Sequence, residues 1–122
     1  MGKTILTVDD SRTMRDMLKL ALSGAGHTVI QAVDGVDGTE VLENTGLVDV
    51  IITDINMPRM DGYGFIEHVR RGTANRATPI LVRTTESEPA KKMRAREAGA
   101  TGWIVKPFDP DKLLAAIRRV SP

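Results

Sequence analysis

The sequence predicts an α/β domain, a parallel sheet covered on both faces by helices, and three observations carry that prediction. Short β-branched runs alternate with amphipathic stretches along the whole chain, the pattern expected of βα units. Val50-Ile51-Ile52 and Ile80-Leu81-Val82 are apolar at successive rather than alternate positions, so those strands need helical cover on both sides. The 122 residues are 41% apolar with no cysteine, enough for one core that needs no disulfide or metal staple.

The elements follow in order. A strand at Thr4 to Val8 leads into a helix whose apolar residues, Met14, Met17, Leu18, Ala21, Leu22 and Ala25, keep a helical rhythm. Gly24-Ala25-Gly26 stops and turns it; Val29 stands where a dinucleotide-binding motif wants its third glycine. Further strands are expected at Thr28 to Val33, Val48 to Thr53, Pro79 to Thr84 and Gly102 to Val105. Helices are expected at Val36–Glu43, Gly62–Arg71, Pro89–Ala98 and Pro110–Val120. Pro89 and Pro110 open their helices, and Gly99 closes one. Right-handed crossovers turn this order into a doubly wound, three-layer α/β fold, with residues 1–122 as a single domain.

Composition narrows the function. Without cysteine there is neither a thiol nucleophile nor a Cys-ligated zinc. No apolar run approaches the ~18 residues of a membrane span, and no secretory h-region is present. Leu6 stands where the myristoylation motif opened by Met1-Gly2 wants Ser or Thr. The expectation is a cytoplasmic protein. Residues 1–68 hold 5 Lys/Arg against 11 Asp/Glu, and residues 69–122 hold 12 against 5. A polarised surface and intermixed, cancelling halves both accord with that split. Arg70-Arg71 and Arg118-Arg119 read as solvated helix ends, and Met57, Met60 and Met93 as loop or core packing.

In a doubly wound sheet the binding crevice lies beyond the carboxyl ends of the strands. Asp9 and Asp10 follow the first strand here, Asp54 the third, Thr84 and Thr85 close the fourth, and Lys106 follows the fifth. Carboxylates converging on one crevice raise one another's pKa values unless a cation joins them. With oxygen donors only, and neither His27 nor His68 at a strand end, the expected ion is Mg²⁺. A carboxylate beside such an ion and a lysine is a nucleophile for phosphorus, with Lys106 and the Thr84 hydroxyl facing the transferring oxygens. Plainer roles stand beside these: Asp9, Asp10 or Ser11 as a helix cap, Asp54 as the polar end of a buried strand, Lys106 as a surface lysine. Joint placement at strand ends favours the site.

Asp9-Asp10, Asp54-Ile55-Asn56-Met57-Pro58, Asp61-Gly62, Thr84-Thr85 and Lys106-Pro107-Phe108 together resemble the signature of two-component response-regulator receiver domains, in its usual order over nearly the whole chain. Thr84-Thr85-Glu86 and Gly102-Trp103-Ile104-Val105-Lys106-Pro107-Phe108 are most similar to the chemotaxis members. The resemblance implies a flavodoxin-like (βα)5 fold with five parallel strands in the order 2-1-3-4-5. It also implies a signalling switch, not an enzyme, that takes a phosphoryl group from a histidine kinase on Asp54 and signals to a protein partner. By the same resemblance Asp10 and Asp54 hold Mg²⁺, Asp9 orients water on the ion, and Asn56 offers its backbone carbonyl. Thr84 and Lys106 then contact phosphoryl oxygens, and the small Thr85 leaves access open. A cis Lys106–Pro107 bond and a short-lived phosphoryl group, flanked by Asn56 and Glu86, complete what it implies.

Two positions depart from the pattern. Arg83 stands where an apolar residue is more usual; its stem is expected along the core with its head in water. The sharper alternative pairs it with a carboxylate at the crevice, where it tunes phosphate or partner binding. Trp103 stands where a switch tyrosine is common, and is expected to bury itself when Thr84 moves to a phosphoryl oxygen, against the alternative of a fixed core ring. That movement reshapes the face formed by the Pro89–Ala98 helix, the fifth strand and the Pro110–Val120 helix. Its Lys91, Lys92, Arg94, Arg96 and Lys112 suit an acidic or amphipathic protein partner. A phosphatase of the haloacid-dehalogenase kind has a second Asp two residues after the nucleophile, where this chain has Asn56. A DNA-binding regulator needs a helix-turn-helix that is absent here, unless the chain is a receiver cut from such a protein. A monomer that binds neither nucleic acid nor membrane is expected.

Overall fold

Five parallel strands form one sheet in the order β2-β1-β3-β4-β5, as expected from the resemblance. The structure is a computed structural model that describes residues 2–85 and 88–122. Its elements are β1 (Thr4–Val8), α1 (Arg12–Gly24), β2 (Thr28–Ala32), α2 (Gly35–Thr45), β3 (Val50–Thr53), α3 (Gly62–Arg71), β4 (Ile80–Thr84), α4 (Pro89–Ala98), β5 (Gly102–Val105) and α5 (Pro110–Val120). No helix among the described residues is long and apolar enough to cross a membrane.

The successive apolar residues of β3 and β4 divide between two cores, one on each face of the sheet. Leu6, Ile51, Ile80 and Val82 pack with Phe65, Ile66 and Ala95 on the α2–α3–α4 side. Ile5, Val50, Ile52, Leu81 and Ile104 pack with Leu18, Leu22, Leu113 and Ile117 on the α1–α5 side. Both faces are dry, as a parallel sheet requires.

Boundaries shift where side chains intervene. β3 starts at Val50 rather than Val48, because the Val48 N–H donates to the Asn75 side chain. α2 starts at Gly35 rather than Val36, because the Asp34 carboxylate accepts the Asp37 N–H as its cap. Met17 and Ala25 fall outside the buried stripe of α1, which keeps Leu18 and Leu22. Met57 and Met60 pack on the core, whereas Met93 lies exposed on α4.

Arg70 is a correction. It is no solvated helix end: its guanidinium donates to the carbonyls of Gly99, Arg76 and Thr78, tying α3 to the ends of two loops.

Asp34 does more than cap. It accepts two bonds from Arg59, at 2.7 and 3.0 Å, and Arg59 takes a left-handed φ of 65° to make them. The Gly35 N–H donates to the Met60 carbonyl beside it. The loop after β3 is thereby clamped to the start of α2. The Arg59 bond holds the Asp34 carboxyl below its ordinary 3.8, against the opposing push of burial. A lowered native pKa stabilises the fold above 3.8 and loses that contribution as pH falls through the native value. Asp34→Asn is therefore expected to lower the thermal midpoint at neutral pH and to converge on the wild type in acid. Melting curves across that range check it, and a pH-independent difference would contradict it.

Candidate functional site

Asp9, Asp54 and Lys106 each stand one residue beyond a strand, yet their amides remain in the ladder. The Asp9 N–H donates to Ala32, that of Asp54 to Val8, and that of Lys106 to Thr84. The register pairing Val8 with Thr53 and Thr53 with Val82 carries, one residue on, to Asp9, Asp54 and Arg83. Parallel partners share a face, so three charged side chains form one row on the α1–α5 side.

The acidic residues converge. Asp9, Asp10 and Asp54 each offer an oxygen within 4.8 Å of the others'; Asp9 and Asp54 are buried and Asp10 is exposed. Lys106 Nζ donates to Asp54 Oδ1 at 2.6 Å, and the Ile55 N–H donates to the same oxygen at 2.8 Å. The Asp54 carboxylate is thus held by one oxygen and presents the other. Burial pushes the Asp9 carboxyl above its ordinary 3.8, while the Ser11 N–H and the Arg83 charge pull it down. Helix capping falls to Ser11, whose hydroxyl accepts the Met14 N–H, and Asp9 supports that cap by accepting the Ser11 N–H. Three carboxylate donors this close, with no nitrogen or sulfur among them, fit a hard divalent cation.

The remaining predicted residues surround this centre. Thr84 is buried at the end of β4, Thr85 is half-buried next to it, and Asn56 is exposed in the loop after β3. Asp61 caps α3 through the Gly64 N–H. Gly62 lies so close to the Asp54 carbonyl that a Cβ would sit 2.3 Å from it. The Lys106–Pro107 bond is cis. Glu86 lies outside the described residues.

One expectation needs correction, and one of the alternatives falls away. The stem of Arg83 does lie along the sheet, but its head does not reach water: the residue is 4% exposed, and Nη1 bonds to Asp9 Oδ2 in a buried ion pair. The pairing is the one the sharper alternative expected; periodicity alone could not name the partner, because Asp9 follows a strand two positions away in the sheet. Nor is Trp103 a core ring. It is half-buried on β5, with Lys92 Nζ 5.5 Å and the Arg96 guanidinium carbon 5.3 Å from its ring centre, cation–π distances. The two chain halves meet at the acidic cluster, where Lys106 and Arg83 from the basic half pair with Asp54 and Asp9.

The profile of the response regulator receiver domain matches residues 5–118. The chain belongs to that family. The phosphatase reading falls with that membership. The receiver is 41% identical over 110 residues to the chemotaxis protein CheY1 of Helicobacter pylori, covering 89% of each chain. It is 34% identical to the sensor histidine kinase CheAY of the same species, covering 94% of this chain but only 14% of the kinase. The structure of the chemotaxis response regulator CheY4 of Vibrio cholerae superposes with a TM-score of 0.91 at 42% identity, covering 98% of the receiver and 99% of that chain. This receiver is CheY-like, a signalling domain of two-component systems.

Proposed function

We propose that the chain is a chemotaxis switch, phosphorylated on Asp54 by a histidine kinase with Mg²⁺ and acting, as a single cytoplasmic domain and monomer, on a protein target. The observation that carries this reading is the Asp54 carboxylate, fixed through Oδ1 by Lys106 and the Ile55 N–H amid the acidic cluster. In the transfer, the free Asp54 oxygen bonds to phosphorus as the P–N bond of the donor phosphohistidine breaks. The electron pair stays on the imidazole nitrogen, which takes up a proton. Asp10, Asp54 and the Asn56 carbonyl would hold Mg²⁺, with Asp9 behind them, and the ion supplies charge neutralisation for the phosphoryl oxygens. Lys106 moves from Asp54 to one of those oxygens, the Thr84 hydroxyl donates to another, and Thr85 keeps the entrance open. Incubation with Mg²⁺ and a small acyl phosphate, then intact mass and peptide mapping, tests this; a modified residue other than Asp54 would overturn it.

Output follows from the pairing of β4 with β5. Trp103 pairs with Val82, two residues before Thr84 and on the same face, so a displacement of Thr84 opens space toward the ring. Burial of Trp103 breaks its contacts with Lys92 and Arg96 and re-aims a basic face, which Lys112 extends, suited to an acidic or amphipathic partner. Arg94, expected on that face, lies instead over the Tyr63 ring of α3, 4.1 Å from its centre, and Lys91 pairs with Glu88. Phosphorylation is expected to change Trp103 fluorescence, and Thr84→Ala to weaken the change while sparing Asp54 labelling. A tenfold population shift needs only ~1.4 kcal/mol between the two states. Equal quenching of Trp103 in both forms, with unchanged partner affinity, would refute the coupling.

A further inference from the structure

Arg83 is a buried cation that the phosphoryl chemistry above does not use. It starts on β4, and its partner Asp9 follows β1, with β3 between them. Two strand spacings are about 9.5 Å, so the extended side chain spans β3 in the charged row and ends among the carboxylates. Nothing in the packing of β4 requires this, since an apolar side chain would meet the same core as Leu81 and Ile104.

The form of the contact says which property of the arginine matters. Arg59 grips Asp34 with two parallel bonds, the usual fork of a structural arginine–carboxylate pair. Arg83 reaches Asp9 through Nη1, while its Nε is buried without an acceptor. A buried donor left unpaired costs free energy, so the site keeps the charge of the guanidinium at the expense of its hydrogen bonding. Lys106 and Arg83 together set two positive charges against the three carboxylates. Arg15 also lies close, bonded to the Asp9 carbonyl and not to its carboxylate. Among the described residues, removal of Arg83 would leave only Lys106 paired with a carboxylate of the cluster, which would attract a divalent ion more strongly.

We propose that Arg83 is a resident counter-cation that competes with the divalent ion for Asp9, holding the metal-free cluster together and weakening its affinity for Mg²⁺. The inference rests on the reading of the cluster as a Mg²⁺ site. It makes Arg83 a determinant of metal affinity, acting through Asp9 and not on the phosphoryl group.

Calorimetric titration of the unphosphorylated protein with MgCl₂ reads it directly, alongside melting curves in EDTA and in Mg²⁺. Arg83→Leu is expected to bind Mg²⁺ at least tenfold more tightly, ~1.4 kcal/mol. The same variant should melt lower than the wild type in EDTA and gain more from Mg²⁺. Arg83→Lys retains the charge and should bind Mg²⁺ close to the wild-type affinity. Arg83→Gln removes the charge while keeping donors, and provides the same reading where the Leu variant folds poorly. A folded Leu or Gln variant that binds Mg²⁺ no more tightly than the wild type overturns the proposal, as does a Lys variant as tight as the uncharged ones. Wild-type binding that Asp10→Asn abolishes and Arg83 substitutions leave alone would overturn only the role of Arg83. Absence of Mg²⁺ binding from the wild type and every variant would remove the metal reading and this inference with it.

Discussion

Asp54→Asn is expected to reduce phosphoryl labelling to background, and EDTA to do the same to the wild type. The two effects share a cause. Asp54 lies within reach of two other carboxylates, and an incoming phosphoryl donor carries negative charge of its own. Lys106 offsets part of that repulsion from 2.6 Å, but its charge is already committed to Asp54. A cation must be added before a dianion can approach. The amide of Asn cannot attack phosphorus, whereas it preserves the shape of the site and its bonds to Lys106 and Ile55 in outline. Lys106→Ala should leave labelling detectable but on the order of a hundredfold slower, the usual cost of losing one charge-stabilising donor. Intact-mass time courses with an acyl phosphate distinguish the three cases. Stoichiometric labelling of Asp54→Asn, or labelling undiminished in EDTA, would sink the assignment.

Gly62→Ala is expected to be the most damaging small substitution near the site. A Cβ there would lie 2.3 Å from the Asp54 carbonyl oxygen and 2.9 Å from Ile55 Cα. Both are backbone atoms, held by the bond from the Gly62 N–H to the Ile55 carbonyl at 2.8 Å, so neither can turn aside as a flexible side chain would. Overpacking of this kind costs about 3 kcal/mol, a fall in Tm of roughly 10 °C for a domain of this size. Relief by moving the Asp54 peptide would also displace the carboxylate, so labelling should slow in whatever fraction folds. Gly64→Ala is the control. Its Cβ would meet Met60 Cγ at 3.3 Å and Asp61 Oδ1 at 3.5 Å, both side-chain atoms, and a helical alanine gains up to ~1 kcal/mol over glycine. Equal melting temperatures for the two variants would show that the loop after β3 is softer than its packing indicates.

The strands and the acidic cluster were legible in the sequence for one reason. In a parallel sheet, apolar runs end at the crevice, so a charged residue after such a run is placed by local pattern alone. Asp9, Asp54 and Lys106 all follow that rule. Arg83 does not, since it interrupts the end of β4 and its meaning depends on Asp9, two strands and many residues distant. Arg59, Asp34 and Arg70 escaped for the same reason: a long side chain finds its partner through topology, which periodicity does not encode. Trp103 is a third kind of case. Its half-buried setting is created by Lys92 and Arg96 on a helix whose one buried residue is Ala95, and a polar helix of that composition carries no periodic signal of where it packs.

The charged row across β1, β3 and β4 has a consequence for how this chain can change in length. Thr7, Ile52 and Leu81 stand one step behind Asp9, Asp54 and Arg83 in the same file, and the residues between them face the opposite core. A single-residue insertion or deletion inside any of these strands exchanges the two faces. It would push a carboxylate or a guanidinium in among Phe65, Ile66 and Ala95, and withdraw it from the crevice in the same event. Core and site are therefore one constraint on these three strands, and a change in chain length within any of them is a loss of both.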